Sequence, residues 1–226
     1  MKDYSYEECT KILNEYLSMY GDSYSERDIE ILRNDFGKST RDHISQIYYA
    51  MNMLNDEENP YLKLTNLIEK IYGLDLNVLE VGGGIYPALS KSISRRQEQI
   101  GKGHITVYDP MLSRKLDFKN ITLQKQNFYS YIDTSKYDII IGKEPCAATF
   151  NVIDSANKYK KELLLSPCKC YSLLPEYIEF DNSPLEQWYD FVKMLITNYN
   201  EHKVDTYHLN KETNYDNPIY VKRLTH

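Results

Sequence analysis

Apolar residues fall along the chain in two regimes. In the first they recur every three or four positions, the spacing of one helix face. "SYEECTKILNEYLSMY" places Ile12, Leu13, Tyr16, Leu17 and Tyr20 on one side. "GDSYSERDIEILRNDF" follows with Ile29, Ile31 and Leu32. Ser25 is its candidate N-cap, and Asp28 stands in the first turn, where the helix dipole favours an acid. "STRDHISQIYYAMNMLN" repeats the pattern through Ile44, Ile47, Tyr48, Met51 and Leu54. The polar stretch "NDEENP", Asn55 to Pro60, ends in a helix-breaking proline and is the best internal boundary. The spacing predicts a fourth helix from about Tyr61 to Tyr72, stopped by Gly73.

From Leu76 the pattern changes to short, nearly continuous apolar runs separated by helix-length segments. The runs are "LNVLEV", "HITVYD", "ITLQKQ", "YDIIIG" and "KELLLSP". Such runs suit parallel strands covered on both faces, joined by right-handed crossover helices. "PLEQWYDFVKMLITNYN" is a further amphipathic helix, with Trp188, Phe191, Val192 and Leu195 on one side. "HKVDTYHL" and "PIYVKRL" alternate and read as an antiparallel pair at one side of the sheet. The expected fold class is α/β. It is a Rossmann-like, seven-stranded, mostly parallel sheet with an antiparallel C-terminal pair, preceded by an N-terminal helical cap. Residues 1–58 are assigned to the cap and 59–226 to the sheet domain.

Composition narrows the function classes. A chain of 226 residues can bury a core without disulfides or metals. Its formal net charge of -6 speaks against a broad phosphate-binding face, and so against nucleic acid as partner. No run reaches the length of a membrane span, and the N-terminus has no apolar leader segment. A cytoplasmic protein with reduced thiols is expected. Cys9, Cys146, Cys168 and Cys170 are too few for a secreted disulfide scaffold. Cys146 and the pair Cys168 and Cys170 follow neighbouring strands, so three thiols are candidates for one edge of a cleft. Inert packing is the preferred reading, ahead of a thiolate metal site or a reactive thiol. His43, His104, His202, His208 and His226 have no ligand-like spacing. No metal is expected.

The chemistry concentrates in "NVLEVGGGIYPALSKSI", where a strand carrying Glu80 runs straight into Gly82, Gly83 and Gly84. Glycines between a parallel strand and a helix let the backbone turn and approach a ligand. A dinucleotide site wants G-x-G-x-x-G, but Pro87 occupies the third glycine's place. A carboxylate at Glu80 also sits badly beside a pyrophosphate. "VLEVGGGIYP" instead resembles the first motif of class I S-adenosylmethionine-dependent methyltransferases. "HITVYDP" resembles their second, ending its strand on Asp109 twenty-five residues beyond Gly84. As topology the resemblance covers roughly Leu76 to Arg223, and the terminal strand pair fits the family's order. It implies S-adenosylmethionine as cofactor, with S-adenosylhomocysteine as product. It further implies that Glu80 lies near the methionine end and that Gly82, Gly83 and Gly84 line the ligand by backbone. Asp109 would accept the ribose hydroxyls, and Gln126, Asn127 and Phe128 would contact the adenine. Tyr86, Pro110 and Gly142 complete the implied cofactor-binding set.

The strand before "GKEPCAAT" departs from the family pattern. The Asp or Asn followed by Pro-Pro and an aromatic, used by enzymes acting on nucleobase or glutamine nitrogen, is absent. Lys143, Glu144 and Cys146 stand there instead. Glu144, as base, and Cys146 are the candidate catalytic residues, against the plainer reading of Glu144 as a solvated loop carboxylate. Lys143 is a candidate for holding an acidic substrate. The expected function is methyl transfer to a small-molecule acceptor. The alternatives are a non-catalytic S-adenosylmethionine-binding protein and an aminopropyl-type transferase. An NAD-binding oxidoreductase is disfavoured by Pro87 and Glu80. For the N-terminal helices three uses stand open: core packing, a lid carrying Tyr48, Tyr49, Met51 and Met53, and a homodimer surface.

Overall fold

The computed structural model describes residues 5–36, 44, 46–48, 51, 59–113, 116, 118–169, 171–173, 183–197, 203–209 and 217–224. Helix α1 spans Tyr6–Tyr20 and starts on a capping box. The Glu8 amide donates to Ser5 Oγ, and the Ser5 amide donates to the Glu8 carboxylate. Helix α2, Glu26–Phe36, repeats the device with Ser25 and Asp28. Of the third predicted helix, residues 44 and 46–48 are described and helical. Tyr49, Met53, Leu54 and the boundary at 55–58 lie outside the described residues. Helix α3 spans Pro60–Tyr72, one residue longer than predicted. Proline at its first position loses no hydrogen bond there, and Asn59 caps the next amides. Gly73 ends it at φ +78°, a conformation that favours glycine.

The remaining elements mix strands and helices. They are β1 (Asn77–Val81), α4 (Ala88–Ile100), β2 (His104–Tyr108), β3 (Ile121–Gln124), β4 (Ile139–Lys143), α5 (Thr149–Lys158), β5 (Glu162–Ser166), α6 (Pro184–Thr197), β6 (Lys203–Tyr207) and β7 (Ile219–Arg223). Among the described residues the expected crossover helices between β2 and β3 and between β3 and β4 are absent. The seven strands form one sheet in the order β3-β2-β1-β4-β5-β7-β6. Strands β1 to β5 are parallel, and β7 enters antiparallel between β5 and β6. This is a Rossmann-like α/β fold, as the alternation of apolar runs predicted.

Strand periodicity sorts the core into two layers. Val78, Ile105, Ile139 and Ile141 face one way, into a cluster shared with Leu13 and Tyr16 of α1, Leu32 of α2, Leu64 and Ile68 of α3, and Leu89 and Ile93 of α4. Leu79, Val81, Ile140 and Leu163 face the other way, against Val152 and Ile153 of α5 and Trp188 and Val192 of α6. Each such aliphatic side chain contributes about 1.5–3 kcal/mol of burial. The consequence for function is positional. The chain runs outward from β1 to β3, then crosses back to β4, so the carboxyl ends of β1 and β4 flank a switch point.

Candidate functional site

A cavity of about 760 Å³ opens at that switch point. It lies within the range of ~300–1,000 Å³ typical of small-molecule sites. One wall is the glycine turn. Gly82 adopts φ +85° and Gly84 φ +71°. Packing alone calls for all three glycines. A Cβ on Gly82 would lie 2.9 Å from Pro145 Cα, one on Gly83 would run into Val107, and one on Gly84 into the Gln46 amide. The Gly84 amide donates to Asp109 Oδ2 at 3.0 Å, joining the two sequence motifs directly. Asp109 Oδ1 accepts from the Met111 amide at 2.6 Å, which orients the carboxylate at the end of β2.

A second wall follows β3. Phe128 is buried and meets Tyr108 edge-on, with centroids 5.6 Å apart. Asn127 Nδ2 donates to the Tyr129 hydroxyl. Tyr129 in turn stacks on Tyr131 at 5.3 Å.

The third wall is the exit of β4. Glu144 at φ +53° and Cys146 at φ +45° both hold a left-handed backbone that costs a non-glycine residue about 1–2 kcal/mol. The loop is fixed from several sides. The Glu144 amide donates to Ser166 O at 2.7 Å, and Thr149 Oγ1 donates to Cys146 O at 2.7 Å. The Glu144 carboxylate accepts from Asn217 Nδ2 and lies 3.8 Å from Lys143 Nζ. Lys143 also sits over the Tyr61 ring at 5.4 Å. Cys146 is exposed and Cys168 buried, and both line the cavity. Cys170 lies outside the described residues, as do His43, His202 and His226. Among the described residues no three His, Cys, Asp or Glu side chains group in a way that could hold a metal ion.

Of the residues the sequence singled out, Gly82, Gly84, Asp109, Pro110, Asn127, Phe128, Glu144 and Cys146 come together on the cavity wall. Glu80, Gly83, Tyr86, Gln126 and Gly142 are not on it. Glu80 is 3% exposed and is not part of the cavity lining. Its Oε2 accepts from the Ser90 hydroxyl and, at 3.1 Å, from the Ser90 amide, which caps the first turn of α4. Burial pushes this carboxyl up to about 7, against the Ser90 hydrogen bonds and the charge of Lys143. Tyr86 is buried edge-on against Phe118, with centroids 6.0 Å apart. Gly142 is pinned within the sheet, where a Cβ would lie 2.8 Å from Leu165 Cδ1.

Sequence reasoning missed Leu32, Gln46, Met111, Tyr129, Asn151 and Lys169. Met111 follows the Asp109 motif closely enough to have been found. Leu32 and Gln46 belong to the N-terminal helical region and reach the cavity only through tertiary packing. Tyr48 and Met51, suggested as lid residues, are partly buried against the core instead.

No protein-family model matches the chain, and no curated protein matches it in sequence. Among solved structures, a Thermoplasma acidophilum protein described as a "putative methyltransferase" aligns with 15% identity and a TM-score of 0.34, over 65% of this chain and 66% of its own. The alignment thus spans just under two thirds of that protein. A structural-genomics target from Corynebacterium glutamicum aligns with 13% identity and a TM-score of 0.47, over 95% of this chain and 99% of its own. Among the described residues no helix is long and apolar enough to cross a membrane.

Proposed function

We propose that the chain binds S-adenosylmethionine in this cavity and transfers its methyl group to a small-molecule acceptor. The observation that carries the reading is the hydrogen bond from Gly84 to Asp109. It brings a glycine turn and a strand-end carboxylate, the two motifs that resemble the methyltransferase family, to one wall of one cavity. The strand order, with β7 antiparallel between β5 and β6, agrees with that family's order. The site's residues suit the ligand. Asp109 offers acceptors for ribose hydroxyls and Phe128 an apolar surface for the adenine.

Bound there, the cofactor would supply an already activated methyl group, so the chain's main task is alignment. Gly82, Asp109 and Phe128 would hold the nucleoside, and the β4 exit would border the acceptor. Glu144, fixed by Asn217, would hold a proton-bearing atom of that acceptor. A second reading, binding without transfer, draws support from the same fact: a carboxylate engaged by Asn217 and close to Lys143 also serves simply as part of a rigid loop.

Calorimetric titration with S-adenosylmethionine, S-adenosylhomocysteine and NAD tests the proposal. The first two should bind, and Asp109→Ala should weaken them at least tenfold, about 1.4 kcal/mol. Folded wild-type protein that binds neither sulfur ligand would overturn it.

A further inference from the structure

One polar group on the cavity wall is buried with no partner. Gln46 is 8% exposed and lines the cavity, and its Oε1 makes no hydrogen bond. An unsatisfied buried carbonyl costs a folded chain free energy that an apolar side chain of similar shape would not. The position of the group gives the cost a use. The Gln46 amide lies directly over Gly84, in the space a Cβ would fill. Gly84 has already committed its N–H to Asp109. The Asp109 carboxylate and the Gln46 carbonyl therefore flank one glycine, and both oxygens only accept hydrogen bonds. A ligand fragment that satisfies both must donate to each. A phosphate or carboxylate would be repelled by the Asp109 charge and would leave the Gln46 carbonyl without a donor. A vicinal diol meets the requirement.

We infer that Gln46, contributed by the N-terminal helical region, accepts a hydrogen bond from one ribose hydroxyl of the bound nucleoside and reads the diol together with Asp109. The inference rests on the cofactor reading above and extends it. The helical region is then part of the ligand site as well as part of the core, and the pair selects an unmodified ribose over a deoxy- or phospho-sugar.

The test crosses a protein change with a ligand change. Gln46→Leu and Gln46→Met remove the carbonyl while keeping an apolar volume of similar size. Wild type and both variants are titrated with S-adenosylhomocysteine and with its 2′-deoxy and 3′-deoxy analogues, and their melting without ligand is recorded. The variants should melt at or above the wild-type temperature yet bind S-adenosylhomocysteine about tenfold more weakly. One deoxy analogue should bind wild type about tenfold more weakly and lose nothing further in the variants. Equal affinity of wild type and variants for S-adenosylhomocysteine would overturn the inference and leave the cofactor reading standing. An equal loss for all three ligands would overturn it too, as the mark of a distorted site. Should neither variant fold, Gln46→Asn, which keeps the amide but withdraws it, takes their place under the same criteria, and indifference of wild type to both missing hydroxyls overturns the inference in any case. If wild type binds no S-adenosylhomocysteine at all, the cofactor reading fails and this inference falls with it.

Discussion

Glu80 shows how a single carboxyl can be held for structure inside a site-like motif. It is fully enclosed, it caps the start of α4 through Ser90, and burial raises it to about 7. Between the ordinary carboxylate value and about 7, the folded chain keeps a proton that the unfolded chain has released. Stability from this group is therefore present at low pH and declines as pH rises through that window, by roughly 3 kcal/mol in all. Glu80→Gln cannot titrate, so its melting temperature should gain on wild type by roughly 5–10 °C between pH 5 and pH 8. A constant gap across that range would show that Glu80 is ionised throughout. At this scale the sequence was only partly readable. Gly82, Gly84 and Asp109 follow from short-range pattern, because a turn and a strand end impose their residues locally. The capping role of Glu80 depends on Ser90, a helical residue with no mark of its own. Gln46 depends on a contact with Gly84 made across the fold, and nothing in residues 44–48 distinguishes it.

The β4 exit is the element where local preference and observed backbone disagree most. Two non-glycine residues, Glu144 and Cys146, hold left-handed conformations within one short loop beside the cavity. Natural chains keep such strain where surrounding contacts over-determine it, most often at functional sites. The bonds from Glu144 to Ser166 O and from Thr149 to Cys146 O are those contacts. Cys146→Gly should relieve more strain than it adds in chain entropy, a net of about 0.5–1 kcal/mol, raising the melting temperature by roughly 1–3 °C. Cys146→Val should lower it, since a β-branched residue tolerates that backbone least. A lower melting temperature for both variants would mean that the thiol's contacts outweigh the strain. Helix α3, by contrast, was legible nearly to the residue, and α2 at its start. Ser25 with Asp28, and Gly73 at the end of α3, are chemical punctuation that acts within one turn. Strand ends were less so: "ITLQKQ" pairs only as far as Gln124, because pairing ends where β2 does and not where the apolar pattern fades.

Across the whole molecule the N-terminal helices and the sheet share one apolar cluster. Tyr16, Tyr24 and Leu32 pack in the same core as Val78, Ile85 and Val107, and the Lys125–Asp28 pair at 3.1 Å links α2 to the segment after β3. Regions that share a core lose it together. Thermal unfolding followed by far-UV and near-UV circular dichroism should therefore give a single coincident transition. Two separated transitions would mark residues 1–58 as a unit that melts independently. The make-up of the sheet was readable because buried parallel strands and a closing antiparallel pair each leave a distinct periodicity. The seating of the helical region was not, since an amphipathic helix shows which face is buried and not what buries it. One buried contact also gives the molecule an optical voice. Its sole tryptophan, Trp188, is completely enclosed in α6 and donates from Nε1 to the carbonyl of Cys168, a residue of the cavity wall. Excited beyond the absorption of its 22 tyrosines, the indole is an intrinsic lamp wired to the site, so ligand entry that shifts Cys168 can be followed as a change in emission colour or lifetime without attaching a dye.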